Sequence, residues 1–543
     1  MNLPTAFRTV NTIYKFPIYR FSTINPQPEH NQNILNNVAA QQAQNLIQNT
    51  TEAQQPQGSS DKKDRLSYYS LMRIYKNHKG GQLLNLLLCN HILRYEYLVK
   101  NAEKFYLKSH KWLGGALTNA VINSSVGQVY TGGNTLENIY KIKKDLENKN
   151  VNLIINYCDE AQHETPSEFH MDRTAKLFVK SIEKAQEVNS NIGVKYSGFC
   201  DPNLMKKINK VKIMQINMFK QLCSQNQLEN AQVLNGKHLY DGMIASGLNI
   251  TEYEFQDFLK EILSKKDVTD ISQVTISRIQ WDCLVHPLYK DAAKNTNSVI
   301  QKMTMLTEQE ANLAKNIIMR LDMIYEAAAK KPSSRIYVDA EQSYLQYFIE
   351  SISVQYQLQY NKEEPMIFST IQCYLKDSDH KLEQELQKQQ EFGLKIGVKL
   401  VKGAYLNEEI KLDAKDNINE GFQATSDCYD RVAKRAIATI GESNEVLIAV
   451  HNDENVQSIK QYMKINNVNR DRVQFAQLLG MADFLTYSLP NEGFKTSKYV
   501  PFGQTEIMIP YLCRRAYEGF KFLNNVTLQE VLIKEELKKR ISK

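Results

Sequence analysis

From about Lys62 onward the chain alternates short apolar, β-branched runs with longer stretches whose apolar residues recur every three to four positions. The first kind of run, ending in polar residues, predicts strands; the second predicts helices packed on them. The strand-like runs are Val151–Tyr157, Ile192–Phe199, Arg335–Glu341, Met366–Tyr374, Ile396–Tyr405, Glu445–Asn452 and Val473–Leu479. Gly127–Gly133, closed by glycines, reads as a further strand at their head. Eight β/α units in series predict an α/β fold, a (β/α)8 TIM-like barrel, with its site at the C-terminal ends of the strands. A doubly wound sheet alternates in the same way, so pattern alone leaves both open. Polar residues stand where a barrel site needs them: Glu160, Lys195, Asp339, Gln372, Lys402, Tyr405, His451 and Asn452.

The same pattern divides the chain. Residues 64–112 predict an N-terminal helical arm, with the leucines of Leu83–Leu88 as its buried face. Between strands three and four of this count, about 203–334, the rhythm breaks into a large helical insertion with helices over 229–245, 251–265 and 307–329. Thr307 and Glu310 have capping-box spacing. Glu252–Ile262 resembles an EF-hand helix, but no adjacent loop carries carboxylates at alternating positions, so no calcium is expected. The boundaries read as a presequence at 1–28, a linker at 29–61, the arm at 62–126, the barrel at 127–525 and a tail at 526–543. Leu528–Ile541 is amphipathic and lysine-rich, which suits either a solvated helix or peripheral membrane contact.

Composition changes this picture at the termini. Residues 1–28 hold Arg8, Lys15 and Arg20 and no acid before Glu29, the character of a mitochondrial presequence. Residues 27–60 are dominated by Gln and Asn and cannot bury a core. Over the whole chain, 42% hydrophobic and 23% charged residues fit a globular protein. The net charge of +7 comes with no long Lys/Arg block, which argues against nucleic acid. Eight scattered cysteines with no C-x-x-C fit reduced thiols and no metal site. No apolar run approaches the ~18–20 residues that span a bilayer.

Candidate chemistry concentrates in two stretches. Tyr499–Gly503 predicts a short strand closed by a Pro/Gly bend, and a helix follows from about Thr505 with Ile507, Ile509, Tyr511 and Leu512 as its apolar set. Arg514 and Arg515 stand near its end, a turn before Glu518. Adjacent helical residues diverge by about 100°, so two arginines share one small anion only at the helix flank. Guanidinium forks suit a carboxylate; a solvated face with both arginines in reach of Glu518 is the plainer alternative. In Lys399–Tyr405, Gly403 and Ala404 let a flat ligand approach the backbone, Lys402 can meet an anion, and Tyr405 offers a ring and a hydroxyl. No Ser/His/Asp set stands out.

These stretches, KLVKGAY (Lys399–Tyr405) and YVPFG…EIMIPYLCRRAYE (Tyr499–Glu518), resemble signatures of the proline dehydrogenase family, eukaryotic branch. So do INYCDEA (Ile155–Ala161), GVKYSGFCDP (Gly193–Pro202), VDAEQSYLQ (Val338–Gln346), FSTIQCYLKD (Phe368–Asp377), HNDENV (His451–Val456) and FAQLLGMAD (Phe475–Asp483), all in the family's order. The resemblance covers most of residues 64–525. It implies a (β/α)8 flavoenzyme that holds FAD without a covalent bond and passes a hydride from C5 of L-proline to flavin N5, giving Δ1-pyrroline-5-carboxylate. By resemblance, Arg514 and Arg515 grip the substrate carboxylate and Lys195 adds a third cation. Tyr499, Tyr511 and Leu478 wall the ring, with Tyr405 beside them. Glu160 matches an acid that closes the site, and Asp339 an acid near substrate and flavin. Ala340, Gln372, Lys399, Val401, Lys402, Gly403, Ala404, His451, Asn452 and Glu518 match flavin contacts. Val450 stands where relatives carry Ser or Thr, and Lys399 where bacterial members carry Arg. The resemblance also implies ubiquinone as acceptor at the matrix side of the inner mitochondrial membrane. Hydroxyproline dehydrogenase, with the same fold and cofactor, is the nearest alternative the resemblance leaves, and Tyr499 favours proline because that subfamily typically carries a smaller residue there. A barrel kept as a non-catalytic scaffold is the reading from another class.

Overall fold

The computed structural model describes residues 61–158, 166–228, 232–264, 267–288, 299–304, 306–412, 415–439, 441–521 and 523–542. The expected presequence, most of the linker and Glu160 lie outside the described residues. The described chain divides into two compact units, one at 220–276 and one at 61–219 with 277–542.

In the larger unit eight parallel strands close a barrel. They are β1 (Asn152–Tyr157), β2 (Asn191–Val194) and, after two short strands of the insertion (β3, Val233–Asn235; β4, Thr275–Ser277), β5 (Ile336–Val338), β6 (Ile367–Gln372), β7 (Gly397–Val401), β8 (Glu445–Ala449), β9 (Val473–Leu478) and β10 (Lys495–Phe502). Around the ring they run β1-β10-β9-β8-β7-β6-β5-β2, with helices between successive strands, so the barrel fold class holds.

Gly127–Gly133 is not the first strand. Val126–Tyr130 is a short helix ended at Thr131, whose backbone N–H and hydroxyl both donate to the Gly127 carbonyl, at 2.9 and 2.7 Å. The edge of β1 that this run was expected to fill is taken by β10, in register from Asn152↔Ser497 to Tyr157↔Phe502. A short apolar run fits a helical turn as well as a strand, and the pairing partner decides. The insertion therefore lies between the second and third barrel strands, not the third and fourth.

Period-two alternation sorts the strand residues into two cores. Ile154, Tyr337, Phe368, Leu447, Ala476 and Tyr499 form a small cluster inside the barrel. Their strand neighbours, among them Leu153, Ile155, Ile336, Val338, Val446, Ile448 and Val500, join the large core shared with the helices. One step further along each strand, at two residues, the inward side reaches the barrel mouth.

In the smaller unit, β3 and β4 form a two-stranded sheet beside the helices Gly236–Ala245 and Glu252–Leu263. The helix expected from 229 begins only at Gly236, because Asn235 caps it by accepting from the His238 N–H at 2.8 Å. Thr251 and Glu254 close a capping box on the second helix, which buries Phe255, Phe258, Leu259 and Ile262.

The arm comprises α1 (Asp61–Leu71), α2 (Gly80–Ile92), α3 (Glu96–Lys100), α4 (Ala102–Leu113), α5 (Gly115–Ser124) and α6 (Val126–Tyr130). The leucine run of α2 is split: Leu83 and Leu86 are buried, whereas Leu84 and Leu88 are exposed. The tail helix Leu523–Ile541 packs on α1 and α2. It buries Leu532 and Ile533, and Glu530 and Glu536 accept from Arg94 and Arg73 at 2.6 and 3.1 Å. The apolar side of the tail is thus spent inside the molecule rather than left for a membrane.

Candidate functional site

The inward positions that end the strands converge on one cavity of about 1410 Å³. This is larger than the ~300–1,000 Å³ of ordinary small-molecule pockets. Its floor follows from the alternation already described. Asn156 lies two residues beyond Ile154, Asp339 two beyond Tyr337, Thr370 two beyond Phe368, Ala449 two beyond Leu447 and Leu478 two beyond Ala476; all line the cavity. Every expected site residue among the described residues lines it too: Lys195, Asp339, Ala340, Gln372, Lys399, Val401, Lys402, Gly403, Ala404, Tyr405, His451, Asn452, Leu478, Tyr499, Tyr511, Arg514, Arg515 and Glu518.

Asp339 organises the floor. Its Oδ1 accepts from Lys399 Nζ at 2.5 Å and its Oδ2 from the Tyr499 hydroxyl at 2.7 Å. The Lys399 ammonium also lies 5.0 Å from the Tyr499 ring centroid. Burial, with the Asp339 charge beside it, pushes the Tyr499 phenol well above its ordinary value, so it remains a donor. Gly193 makes this arrangement possible: a Cβ there would overlap the Tyr499 hydroxyl.

Above the floor lies the helix Thr505–Lys521. Arg515 is buried and pairs with Glu518 at 2.6 Å; its guanidinium carbon is 5.1 Å from the Tyr511 ring centroid. Arg515 Nε and the Tyr511 hydroxyl are both buried without a hydrogen-bond partner. Arg514 lines the same cavity, so the plainer reading of a solvated face fails for Arg515 and not for its pairing with Glu518. Lys195, buried at the end of β2, has its ammonium 5.4 Å from the Tyr405 ring centroid. The unpartnered Arg515 Nε and Tyr511 hydroxyl, in one cavity with Arg514 and Lys195, make a socket for a small anion.

The wall along β7 and β8 has a different character. Gly403 sits at φ +120°, and a Cβ there would run into the Tyr374 ring. Lys402, half-buried, has the Ser426 hydroxyl as its hydrogen-bond partner and lies 4.4 Å from the Phe422 ring centroid. Burial lowers its pKa to about 8. His451 accepts at Nε2 from the Leu478 N–H at 3.0 Å, which leaves the proton on Nδ1. Burial first, then the charges of Lys498, Arg515 and Lys402, lowers its pKa to about 3, so the ring is neutral near pH 7. Asn452 caps the helix Asp453–Ile465, accepting from the Asn455 N–H at 2.8 Å. A half-buried lysine with a hydroxyl partner, a helix N-terminus and a glycine that admits a flat ring suit the phosphates and ring system of a dinucleotide. FAD fits this donor set.

Sequence reasoning missed several lining residues. Asn156, whose side-chain oxygen is buried without a hydrogen-bond partner, was legible from its place two residues beyond Ile154. Arg65 and Leu66 of α1, Lys100 of α3, Glu103 of α4, and Thr527 and Leu528 of the tail helix line the outer cavity. Nothing local in the sequence marks them, since only the docking of arm and tail brings them there. Arg65 Nε donates to Asp453 at 2.6 Å and fastens α1 to the barrel.

Comparison with known proteins gives the following. The family model described as proline dehydrogenase matches residues 139–526. Proline dehydrogenase 1, mitochondrial, of Caenorhabditis elegans is 30% identical over 391 residues, which cover 68% of this chain and 62% of that one. Hydroxyproline dehydrogenase of Xenopus laevis is 33% identical over 247 residues, which cover 44% of this chain and 53% of that one. The chain therefore spans less than two thirds of the length of these two relatives. Proline utilization A of Bdellovibrio bacteriovorus, in a crystal structure inactivated by N-propargylglycine, matches the fold with a TM-score of 0.50 at 14% identity, over 90% of this chain and 42% of that one.

Proposed function

The chain belongs to the proline dehydrogenase family, and on that premise we propose that it oxidises L-proline to Δ1-pyrroline-5-carboxylate with FAD as its cofactor. The observation that carries this reading is the buried socket of Arg515, Tyr511 and Lys195 opening onto the Asp339–Tyr499 floor within one cavity. Bound FAD supplies the acceptor for the hydride that leaves C5 of the substrate. Gln372, Lys399, Val401, Lys402, Gly403, Ala404, His451, Asn452 and Glu518 hold it, with Asp339 and Ala340 near both ligands.

The residues of this chain do the rest by position and charge. Arg514 and Arg515 take the substrate carboxylate, and Lys195 adds positive charge beside it. Three cations around a small imino acid disfavour its ammonium form, and the reacting amine must be neutral. Tyr511 closes the anion socket, and Leu478 and Tyr499 wall the ring. Asp339, bonded on both oxygens, fixes the Tyr499 ring, so the substrate settles in one pose. Burial of Arg515 and Tyr499 keeps water from competing for the same contacts.

Proline is favoured over trans-4-hydroxyproline because the Tyr499 hydroxyl, bonded to Asp339, fills room that a 4-hydroxyl would need. The kinship to the Xenopus laevis hydroxyproline dehydrogenase makes that substrate the rival. Electrons pass on to ubiquinone, and the protein works in the mitochondrion, in keeping with the mitochondrial name of the Caenorhabditis elegans relative. Anaerobic mixing of the flavin-loaded protein with each amino acid tests the reading. Proline should bleach the flavin absorbance and trans-4-hydroxyproline should do so at least tenfold more slowly. Faster bleaching by hydroxyproline would transfer the chain to the rival activity, and no bleaching by either would leave a scaffold.

A further inference from the structure

A lysine on the outer side of the barrel has no part in the chemistry above. Lys498 precedes Tyr499 on β10, so the two side chains leave opposite faces of the strand. Tyr499 belongs to the cluster inside the barrel. Lys498 is 0% exposed on the other side, where the helix Asp483–Ser488 packs. A buried ammonium is unfavourable unless its charge and its three N–H donors are met. Three acceptors meet them here: the Leu478 carbonyl at 3.1 Å, the Met481 carbonyl at 2.7 Å and Asp483 Oδ1 at 2.7 Å.

All three partners belong to one turn, which leads from the end of β9 into the helix Asp483–Ser488. Gly480 at φ +76° and Ala482 at φ +47° both lie in the left-handed region, which an alanine enters only at a cost. A Cβ on Gly480 would collide with the Val129 carbonyl and the Tyr130 ring, so the turn is also pressed against α6. A backbone of this kind persists where its surroundings fix it.

The turn starts at a residue of the site. Leu478 lines the cavity, and Tyr499 stands beside it in register. The Leu479 N–H donates to the Tyr499 carbonyl at 3.0 Å. Leu478 itself is held at both ends: its N–H donates to His451 Nε2 at 3.0 Å, and its carbonyl accepts from Lys498. At the far end of the turn the Asp483 N–H donates to Gln529 Oε1 of the tail helix at 3.1 Å. An apolar side chain of similar length would fill the outer side of β10 with no charge to desolvate. It could not supply donors to the two carbonyls.

We propose that Lys498 is a positioning residue: from outside the barrel its ammonium holds the turn Leu478–Asp483, and so sets where Leu478 and Tyr499 meet the substrate ring. The contact with the ring rests on the reaction proposed above, whereas the hold on the turn does not.

The test uses the full-length, flavin-loaded protein. Lys498→Met should lower kcat/KM for proline about tenfold or more with the flavin absorbance retained. Hydrogen exchange, followed by mass spectrometry, should quicken about tenfold or more across residues 478–483 and stay at the parent rate in β5, β6 and β7. The single variant leaves the Asp483 charge buried and unpaired, which weakens the fold as a whole. Lys498→Met with Asp483→Asn carries no unpaired charge. It should regain much of the thermal midpoint while keeping the fast exchange and the low kcat/KM. Parental exchange and parental kcat/KM in the double variant would overturn the proposal, because the lysine would then serve only to neutralise the acid. Parental kinetics in Lys498→Met alone would overturn it as well. Absence of proline oxidation in the parent, with the exchange difference present, would support the hold on the turn and count against the proposed reaction alone.

Discussion

Asp339 accepts from Lys399 and from Tyr499 at once, and the inward side of β2 is cleared at Gly193 so that the tyrosine ring can lie where it does. The floor is therefore set as much by a missing Cβ as by any side chain present. Gly193→Ala should displace the Tyr499 ring and lower kcat/KM for proline by about ten- to a hundredfold, at a stability cost of about 1–3 kcal/mol. Unchanged steady-state kinetics would show that the ring position is immaterial. His451 bears on pH in a definite direction. Its folded-state pKa of about 3 lies below the ordinary 6.5, so between these values the unfolded chain binds the extra proton. Stability then falls as pH drops from 6.5 toward 3. His78, lowered to about 4, and His286, lowered by burial, add to the same slope. Urea unfolding of the flavin-free protein across this range should show His451→Gln taking up one proton fewer on unfolding; an identical slope would place a charged imidazole in the folded site. At this scale the end-of-strand polar residues were readable, since a period of two carries the inward face from Tyr337 to Asp339. Gly193 was visible within a family signature, but its reason lies in the Tyr499 side chain packed against it from β10.

Among the elements, the errors of the sequence reading share a cause. Val126–Tyr130 and Val233–Asn235 are short apolar runs whose state is decided by distant partners, one a helix and the other a strand. Lys495–Phe502 was read only in part, as the short strand Tyr499–Gly503, although it closes the barrel against both β1 and β9. Long periodic segments with caps were readable: Thr307 caps Glu308–Ala329, accepting from the Glu310 N–H at 3.3 Å. The tail helix was readable as amphipathic, yet what covers its apolar side was not, because the partners α1 and α2 lie more than four hundred residues earlier. That docking should be a measurable part of stability. Ile533→Ala, at a fully buried position, should cost about 2–5 kcal/mol and lower the midpoint of thermal unfolding. A change below ~0.5 kcal/mol would mean that the tail is not held as described.

For the whole molecule, the barrel supplies the chemistry and the arm and tail supply the outer wall of the cavity. A ligand bound across all three should stabilise the fold in proportion to its saturation: about 2.7 kcal/mol at a hundredfold excess over its Kd. FAD added to the flavin-free protein should raise the unfolding temperature, and Lys402→Met should need about ten- to a hundredfold more FAD for the same rise, through loss of a charge-assisted contact. Equal FAD dependence in parent and variant would remove Lys402 from the cofactor site. The central claim is narrower: a buried guanidinium binds the carboxylate of a small imino acid and holds its ring over the Asp339–Tyr499 floor. The most direct test is kcat/KM for proline in Arg515→Met, with flavin content read from the absorbance of the same sample. The account predicts a loss of about a hundredfold or more with flavin retained; turnover equal to the parent in a fully flavin-loaded variant would contradict it.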